Sequence, residues 1–336
     1  MDRAEIIALL EALAVGDAFA KSTEFASRSR IRASFATIDR LLLPEESLAH
    51  TDMRFAQVTD DTEQNFFLIE DYAKAGCITP EIAAASIVRW YEESPEPDKY
   101  IGPSSARAIA AIRAGESIET AGRAGTSCGG VMRAPAAFLC SGSLRALEAN
   151  VHATLCPTHN TPQAMEAAMG YAWALWRMQT TDSLDAIADA AIEGCAVGWN
   201  RYGEAAERAC VPRCGDRIRH LQAVWSMLAT EDDVLDFLFS VYGTTISSCD
   251  VFVAAFALFM KAERDVFRGI RMAAMLGGDT DTIACLAAVL CCAHAGGHNL
   301  PPDMVRAVRM SNALDFEARA DDVQVLRART RDPERA

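Results

Sequence analysis

Two short acidic motifs contain the residues with the clearest potential for chemistry. Residues 59–62 read Thr-Asp-Asp-Thr, residues 277–282 read Gly-Gly-Asp-Thr-Asp-Thr, and each motif opens a strongly apolar run. One carboxylate at a helix start is ordinary, because the N-terminus favours negative charge by about 0.3–1 kcal/mol. Two like charges about 4 Å apart, however, repel by about 4 kcal/mol at an effective dielectric constant near 20. If the motifs meet in the fold, their four aspartates must take up protons or hold divalent cations such as Mg²⁺, Mn²⁺ or Ca²⁺, which prefer oxygen ligands.

Independent helix capping is the alternative interpretation of these motifs. Asp60 is followed by Glu63 at the spacing of a capping box, and the helix that it would start ends before Gly76. Asp281 is placed to cap the apolar run that ends near Gly296. Spacing alone therefore leaves both a metal site and two separate caps open.

Composition excludes several classes of protein. The 336 residues carry a formal net charge of −14, which argues against general binding to nucleic acid or to anionic membranes. The eleven cysteines include no Cys-x-x-Cys pair, and most lie in apolar runs, which is typical of reduced thiols in the cytoplasm. We recognise no signal peptide and no apolar stretch long enough to span a bilayer, so we expect a cytoplasmic protein.

Helical periodicity dominates the chain, and alternating strand patterns are absent, so the fold class is predicted to be all-α. We expect one domain over residues 1–336, with 318–336 as a final helix that frays into a charged C-terminal tail. A weak helix signal covers 36–43 within the long segment between the first two helices. The predicted helices are 2–20, 60–75, 79–93, 104–114, 143–154, 162–179, 182–198, 217–229, 231–241, 249–262, 264–276, 282–295 and 301–311.

The order of the motifs resembles the ADP-ribosylglycohydrolase family, which includes the dinitrogenase reductase-activating glycohydrolase. The resemblance runs through residues 14–18 (Ala-Val-Gly-Asp-Ala), 23–25 (Thr-Glu-Phe), 59–62, 125–133 and 277–282, and includes Thr158 with His159. It implies a compact, orthogonal multi-helix bundle with two divalent cations, usually Mg²⁺ or Mn²⁺. It also implies hydrolysis of the bond between ADP-ribose and a mono-ADP-ribosylated protein or small acceptor, with an arginine linkage slightly favoured.

The resemblance assigns the metal ligands to both acidic motifs. They are Thr59, Asp60 and Asp61 on one side and Asp279, Asp281 and Thr282 on the other, with one aspartate bridging the cations. Asp61 is also a candidate catalytic residue.

Two further carboxylates are candidates for the catalytic base that removes a proton from the attacking water. Glu24 stands where serine-specific relatives have a glutamate on a mobile loop. Asp98 stands near the position of a family aspartate that precedes Ile-Gly, but two extra residues separate it from Ile101. We therefore rank Asp98 below Glu24.

A glycine-rich tract is expected to bind the phosphates of ADP-ribose, because glycine lets backbone N–H groups approach an anion. Cys128 occupies a position where the family commonly has asparagine, so one side-chain hydrogen bond is expected to change. His159 is expected near the site, and Gly243 near the adenosine part. The candidate substrate-binding residues are Ser127, Cys128, Gly129, Gly130, Met132, Arg133, His159 and Gly243.

Two other functions stay open at this point. The first alternative to the hydrolase is an ADP-ribose-binding protein that has lost turnover. The second is a two-metal phosphohydrolase that cleaves the pyrophosphate of ADP-ribose-like substrates. A zinc site at Cys210, Cys214 and His220 is disfavoured, because the spacing lacks a clear fourth ligand.

Overall fold

The computed structural model describes residues 1–330, and these fold into eighteen α-helices joined by loops and short 3₁₀ turns. No strand occurs within this range, and the only ladder-like contact there is an isolated bridge between Ser127 and Ser247. The predicted all-α class is confirmed. The prediction of a charged tail at 318–336 falls partly on α18, and residues 331–336 lie outside the described range.

The helices are bounded as follows. The first nine are α1 Arg3–Ala20, α2 Arg28–Ser34, α3 Asp60–Ala75, α4 Pro80–Glu93, α5 Pro103–Arg113, α6 Ile118–Ala121, α7 Ala134–Leu139, α8 Leu144–His159 and α9 Pro162–Met178. The remaining nine are α10 Leu184–Asn200, α11 Glu204–Glu207, α12 Cys214–Val224, α13 Glu231–Phe237, α14 Ser248–Ala262, α15 Val266–Ala274, α16 Thr280–Ala295, α17 Pro302–Asn312 and α18 Phe316–Arg329.

Helix α16 lies in the centre of the bundle. Every residue from 280 to 292 is buried, because the helix is apolar on all sides and packs against α1, α9, α14 and α15. Alanines and one glycine let α1 and α16 approach closely: an added Cβ at Gly16 would lie 2.8 Å from the carbonyl oxygen of Ala284. The acidic motif at the start of α16 is thereby carried into the interior.

Several helices differ from the sequence prediction. The weak signal at 36–43 is wrong, because this segment is not helical: Ile38, Leu41 and Leu42 are buried individually while Arg40 pairs with Glu46. Four short helices, α2, α6, α7 and α11, were not predicted, since four to seven residues show too little periodicity. The predicted helix 231–241 continues beyond α13 as a π-helix, Leu238–Tyr242.

Among the described helices, none is both long and apolar enough to cross a membrane. All eleven cysteines are free thiols, and eight of them are buried.

The close approach of α1 and α16 makes a testable prediction. Gly16→Ala should lower the free energy of unfolding by about 1–3 kcal/mol, because the new methyl group forces two packed backbones apart. The matched control is Gly297→Ala, where an added Cβ meets no atom within 4 Å. Urea unfolding followed by circular dichroism measures both, and equal stability of the two variants would contradict this account of the packing.

Candidate active site

The two acidic motifs, far apart in sequence, meet at the N-terminal ends of α3 and α16. The hydroxyl of Thr282 is 3.1 Å from Asp61 Oδ2 and 2.9 Å from Asp279 Oδ1, so it connects the motifs directly. Asp60 and Asp61 occupy the first turn of α3, whereas Asp279 immediately precedes α16 and Asp281 lies in its first turn. Both positive helix ends therefore point towards one acidic cluster.

Capping of α3 falls to a different residue, Asp17 on α1. Its carboxylate accepts hydrogen bonds from the backbone N–H and the hydroxyl of Thr59, at 3.0 and 2.9 Å, and from those of Thr62, at 3.1 and 2.6 Å. The capping box expected between Asp60 and Glu63 is wrong, because the Glu63 carboxylate accepts from Trp90, Ser94 and Tyr100 instead. Asp60 and Asp61 are therefore not needed to cap the N-terminus of α3.

Two glycines shape the loop that enters α16. Gly277 and Gly278 have φ angles of +88° and +87°, which L-residues with side chains rarely adopt. An added Cβ at Gly278 would lie 2.0 Å from the carbonyl oxygen of Thr244, whose oxygen also accepts from the N–H of Asp279 at 2.8 Å. The loop is therefore fixed on both sides, and the position of Asp279 is fixed with it.

The cluster opens into a cavity of about 230 Å³. Glu24, Asp279 and Asp281 each offer one carboxylate oxygen, and these three atoms lie within 4.8 Å of one another. The cavity is also bordered by the loop between α6 and α7 and by the segment before α5. The lining residues predicted from sequence are Glu24, Asp60, Asp61, Ser127, Cys128, Gly129, Met132, Asp279, Asp281 and Thr282.

Burial and mutual repulsion disturb the acidity of this cluster. Burial, followed by the charge of Asp281, raises the pKa of Asp60, Asp61, Asp279 and Glu24 well above the usual range. The same two causes raise the pKa of Asp17 to about 7, although its hydrogen bonds oppose the shift. The isolated protein therefore holds these carboxylates at a considerable electrostatic cost.

The residues present fit a divalent cation. Within the described range, Asp61 Oδ1 and Asp279 Oδ2 are buried without any hydrogen-bond partner, so each has a lone pair available for a ligand. The surrounding donors are carboxylate and hydroxyl oxygens, which are the ligands of hard cations. A bound cation would neutralise the repulsion that raises the pKa values.

Glu24 is held by a residue that the sequence analysis did not identify. Its Oε2 atom pairs with Nε2 of His50, and His50 also lines the cavity. Glu24 follows the 3₁₀ turn Lys21–Thr23 at the end of α1, and the neighbouring Phe25 N–H donates to Gly278 O at 2.7 Å. One face of Glu24 thus meets the aspartates and the other meets an imidazole.

Part of the predicted substrate-binding tract reaches the cavity, and part lies behind it. Gly130, Arg133 and His159 do not line the cavity. Arg133 is fully buried and donates to Gln64 Oε1 at 2.6 Å and to Ser105 Oγ at 2.7 Å. His159, whose pKa burial lowers well below its usual range, pairs through Nε2 with Ser127 Oγ at 3.0 Å. These residues support the tract from behind.

Two other predicted residues lie away from the cluster. Asp98 is exposed on the 3₁₀ turn Pro97–Lys99 and accepts a hydrogen bond from Tyr91 at 2.7 Å, and it does not line the cavity. Gly243 follows the π-helix with φ +89° and lies beside the carboxylate of Asp250. Placement therefore supports Glu24 rather than Asp98 as the acid nearest the aspartates.

The sequence offered a signal for some of the residues that it missed. Asp17 lies within the apolar helix α1, and Lys21 directly follows this helix. A charged residue in such an apolar run needs a specific partner. Burial lowers the pKa of Lys21 to about 8, although Asp17 and Asp281 act against this shift. His50, in a long loop and with φ +53°, carried no comparable signal.

Comparison with known proteins places this chain beside one family and one known fold. The family model described as ADP-ribosylglycohydrolase matches residues 2–334. The chain is 28% identical to the uncharacterized protein YegU of Escherichia coli over 324 residues, covering 94% of this chain and 95% of that protein. It is 28% identical to an uncharacterized protein of Archaeoglobus fulgidus over 275 residues, covering 82% of each. A solved structure titled ADP-ribosylglycohydrolase-related protein complex shares the fold, with a TM-score of 0.69, 21% identity and 98% coverage of both chains.

The raised pKa values predict a pH-dependent stability that Mg²⁺ weakens. A carboxyl whose pKa is higher in the folded chain stabilises fully below its unfolded value, and this contribution is lost as pH rises through the folded value. For Asp17 the window runs from 3.8 to about 7. The thermal midpoint of the metal-free protein should therefore fall across this window, and Mg²⁺ should reduce the fall.

Two variants provide the controls for this measurement. Asp279→Asn should weaken the effect of Mg²⁺, whereas Asn at the exposed Asp98 should leave it unchanged. Identical pH profiles with Mg²⁺ and with a chelator would contradict a cation site at the cluster.

Proposed function

Because the chain belongs to the ADP-ribosylglycohydrolase family, we propose that it is a metal-dependent hydrolase that releases ADP-ribose from a mono-ADP-ribosylated acceptor. The observation that carries this proposal is the convergence of the two acidic motifs on one cavity, connected by Thr282. An arginine linkage is slightly favoured as the substrate, by analogy with bacterial-type members of the family. Free thiols throughout the chain support a reducing, cytoplasmic setting.

Two divalent cations, Mg²⁺ or Mn²⁺, are the proposed cofactors. Bound cations would supply positive charge that orients sugar hydroxyls and polarises a water. The first motif offers Thr59, Asp60 and Asp61, and the second offers Asp279, Asp281 and Thr282. Thr59 already donates its hydroxyl proton to Asp17, which leaves the lone pairs of its oxygen for a ligand.

Glu24 is the proposed base. Its carboxylate lies within reach of the aspartates. Burial and the neighbouring aspartate charges raise its pKa in the metal-free chain, which makes the ionised carboxylate more basic than that of an ordinary glutamate. It would accept the proton of the attacking water while positive charge develops on the sugar. His50 pairs through Nε2 with Oε2 of this carboxylate and so limits rotation of the Glu24 side chain.

The tract before α7 is the proposed phosphate contact. The Gly129 N–H has no acceptor among the described residues, whereas Cys128 N donates to Ile246 O at 2.7 Å. An added Cβ at Gly129 would lie 2.9 Å from His159 Cε1, so the backbone is pressed close to the histidine that backs it. Gly129 thus presents a free donor at the cavity surface, as anion binding requires.

Removal of one metal ligand should abolish the activity. Asp281→Ala should lower the release of ADP-ribose by roughly 10³-fold, which equals about 4 kcal/mol of transition-state stabilisation. Asp98→Ala is the matched control and should retain activity, because Asp98 is exposed outside the cavity. The assay measures free ADP-ribose from arginine-, serine- and nucleobase-linked substrates with and without chelator.

The same assay separates the other functions. Tight binding of ADP-ribose in calorimetry without hydrolysis of any linkage would support a binding protein. Mass spectrometry that finds AMP instead of ADP-ribose would support pyrophosphate cleavage. Turnover by Asp281→Ala in Mg²⁺ would refute the proposed centre.

The contact between His50 and Glu24 makes a separate prediction. His50→Ala should lower kcat by about 10–100-fold, as loss of an outer partner of a site residue typically does, with little change in KM. His50→Gln should recover part of kcat, because its amide N–H can also donate to the carboxylate. A change in KM alone would show that His50 contacts substrate rather than positions the base.

A further inference from the structure

A fully buried arginine lies between the acidic cluster and the glycine-rich tract. Arg133 ends the 3₁₀ turn Val131–Arg133, directly before α7, and its side chain has no exposed surface. Each of its three side-chain nitrogen atoms donates a hydrogen bond to a buried partner. Burial lowers its pKa only to about 10, so the guanidinium group is charged at neutral pH. Because a guanidinium group carries only N–H donors and no acceptor, the direction of each of these hydrogen bonds is fixed.

The first branch of hydrogen bonds leads from Arg133 to Asp60. Arg133 Nε donates to Gln64 Oε1 at 2.6 Å. Because the amide oxygen of Gln64 faces this donor, its NH₂ group points the other way, and Gln64 Nε2 donates to Asp60 Oδ2 at 3.4 Å. Gln64 is fully buried on α3, one turn after Asp60. The arginine thus determines that Asp60 receives a donor, which favours the ionised form of that carboxyl.

The second branch leads from Arg133 to Ser127. Arg133 Nη1 donates to the hydroxyl of Thr158 and lies 3.5 Å from His159 Nδ1. The Thr158 hydroxyl accepts this bond and donates to His159 Nδ1 at 2.8 Å. His159 is therefore a neutral imidazole with its proton on Nε2, and Nε2 donates to Ser127 Oγ at 3.0 Å. The Ser127 hydroxyl proton has no acceptor among the described residues, and Ser127 lines the cavity, so this proton is left for a ligand there.

The third contact of the guanidinium group lies outside both branches. Arg133 Nη2 donates to Ser105 Oγ at 2.7 Å. Ser105 is fully buried on α5 and does not line the cavity. Removal of this hydroxyl would leave Arg133 short of one acceptor without interrupting the path to Asp60 or to Ser127. Ser105 therefore provides an internal control for both branches.

We propose that Arg133 is a positioning residue that acts on both ends of the cavity. Through Gln64 it directs an N–H donor at Asp60, a candidate cation ligand. Through Thr158 and His159 it directs the Ser127 hydroxyl proton at an anionic oxygen, such as that of a phosphate. One buried charge thus prepares the cavity for a cation at one end and an anion at the other. That the anion belongs to ADP-ribose rests on the proposed function.

Manganese binding tests the branch to Asp60. Gln64→Met keeps the length of the side chain and removes its amide, so the dissociation constant of Mn²⁺ should rise about tenfold, as loss of an outer partner of a metal ligand typically causes. Electron paramagnetic resonance of free Mn²⁺ measures this constant without any turnover. Ser105→Ala is the matched control, because it also removes one acceptor from Arg133, and it should leave the constant unchanged. Thermal unfolding shows whether both variants are folded.

Binding of ADP-ribose tests the branch to Ser127. His159→Phe keeps a ring and removes the Nε2 donor, so the dissociation constant of ADP-ribose in calorimetry should rise about 2–10-fold, the effect of one hydrogen bond. His159 acts through the hydroxyl of Ser127 in this proposal. In a Ser127→Ala protein, His159→Phe should therefore cause no further loss, whereas a merely structural role would lower the affinity in both backgrounds.

The two measurements decide the inference independently of hydrolysis. An unchanged Mn²⁺ constant in Gln64→Met, an equal loss in Ser105→Ala, or additive losses from His159→Phe and Ser127→Ala would overturn it. If no ADP-ribose linkage is cleaved but both constants shift as expected, the positioning role stands and the proposed hydrolysis fails. If hydrolysis occurs and the constants do not depend on Gln64 and His159, the proposed function stands and this inference fails.

Discussion

Repulsion among buried carboxylates is the constraint on which the structure depends. Burial removes the water that would stabilise these charges, so each raises the pKa of its neighbours. The ammonium group of Lys21 interacts with the charges of Asp17 and Asp281 and offsets part of the excess negative charge. Two helix N-termini offset a further part. The six acids of the cluster are Asp17, Glu24, Asp60, Asp61, Asp279 and Asp281.

Different residues of the cluster cap helix α3, connect the two acidic motifs and remain available for a ligand. Asp17 satisfies the first turn of α3, and Thr282 connects Asp61 with Asp279. The Glu63 side chain does not cap the helix, and its carboxylate accepts hydrogen bonds from Trp90 and Ser94 on neighbouring segments. Asp61 Oδ1 and Asp279 Oδ2 have no hydrogen-bond partner within the described range, and this is why they are available to bind cations.

The acidic motifs and the long helices could be predicted from sequence, because both have local signals. Helices α3, α14 and α16 are long, contain no proline or glycine and are opened by polar residues, so their bounds differ little from the prediction. The capping of α3 could not be predicted, since it depends on contact with α1 across 42 and 45 residues of sequence. The structure confirms the all-α class, whereas a single domain over 1–336 and the roles of the site residues stay predictions.

Asp98 and His50 show why sequence pattern predicts loops less well than helix ends. Asp98 was matched by its neighbours in sequence, yet the inserted residues place it on an exposed turn beside Tyr91. His50 had no motif, yet a positive φ angle turns it towards Glu24. The cation ligands are set by two helices packed in the core, whereas groups that face substrate come from loops with fewer packing constraints. We therefore expect differences in acceptor preference among relatives to arise from the segments around Glu24, His50 and Cys128 rather than from the acidic motifs.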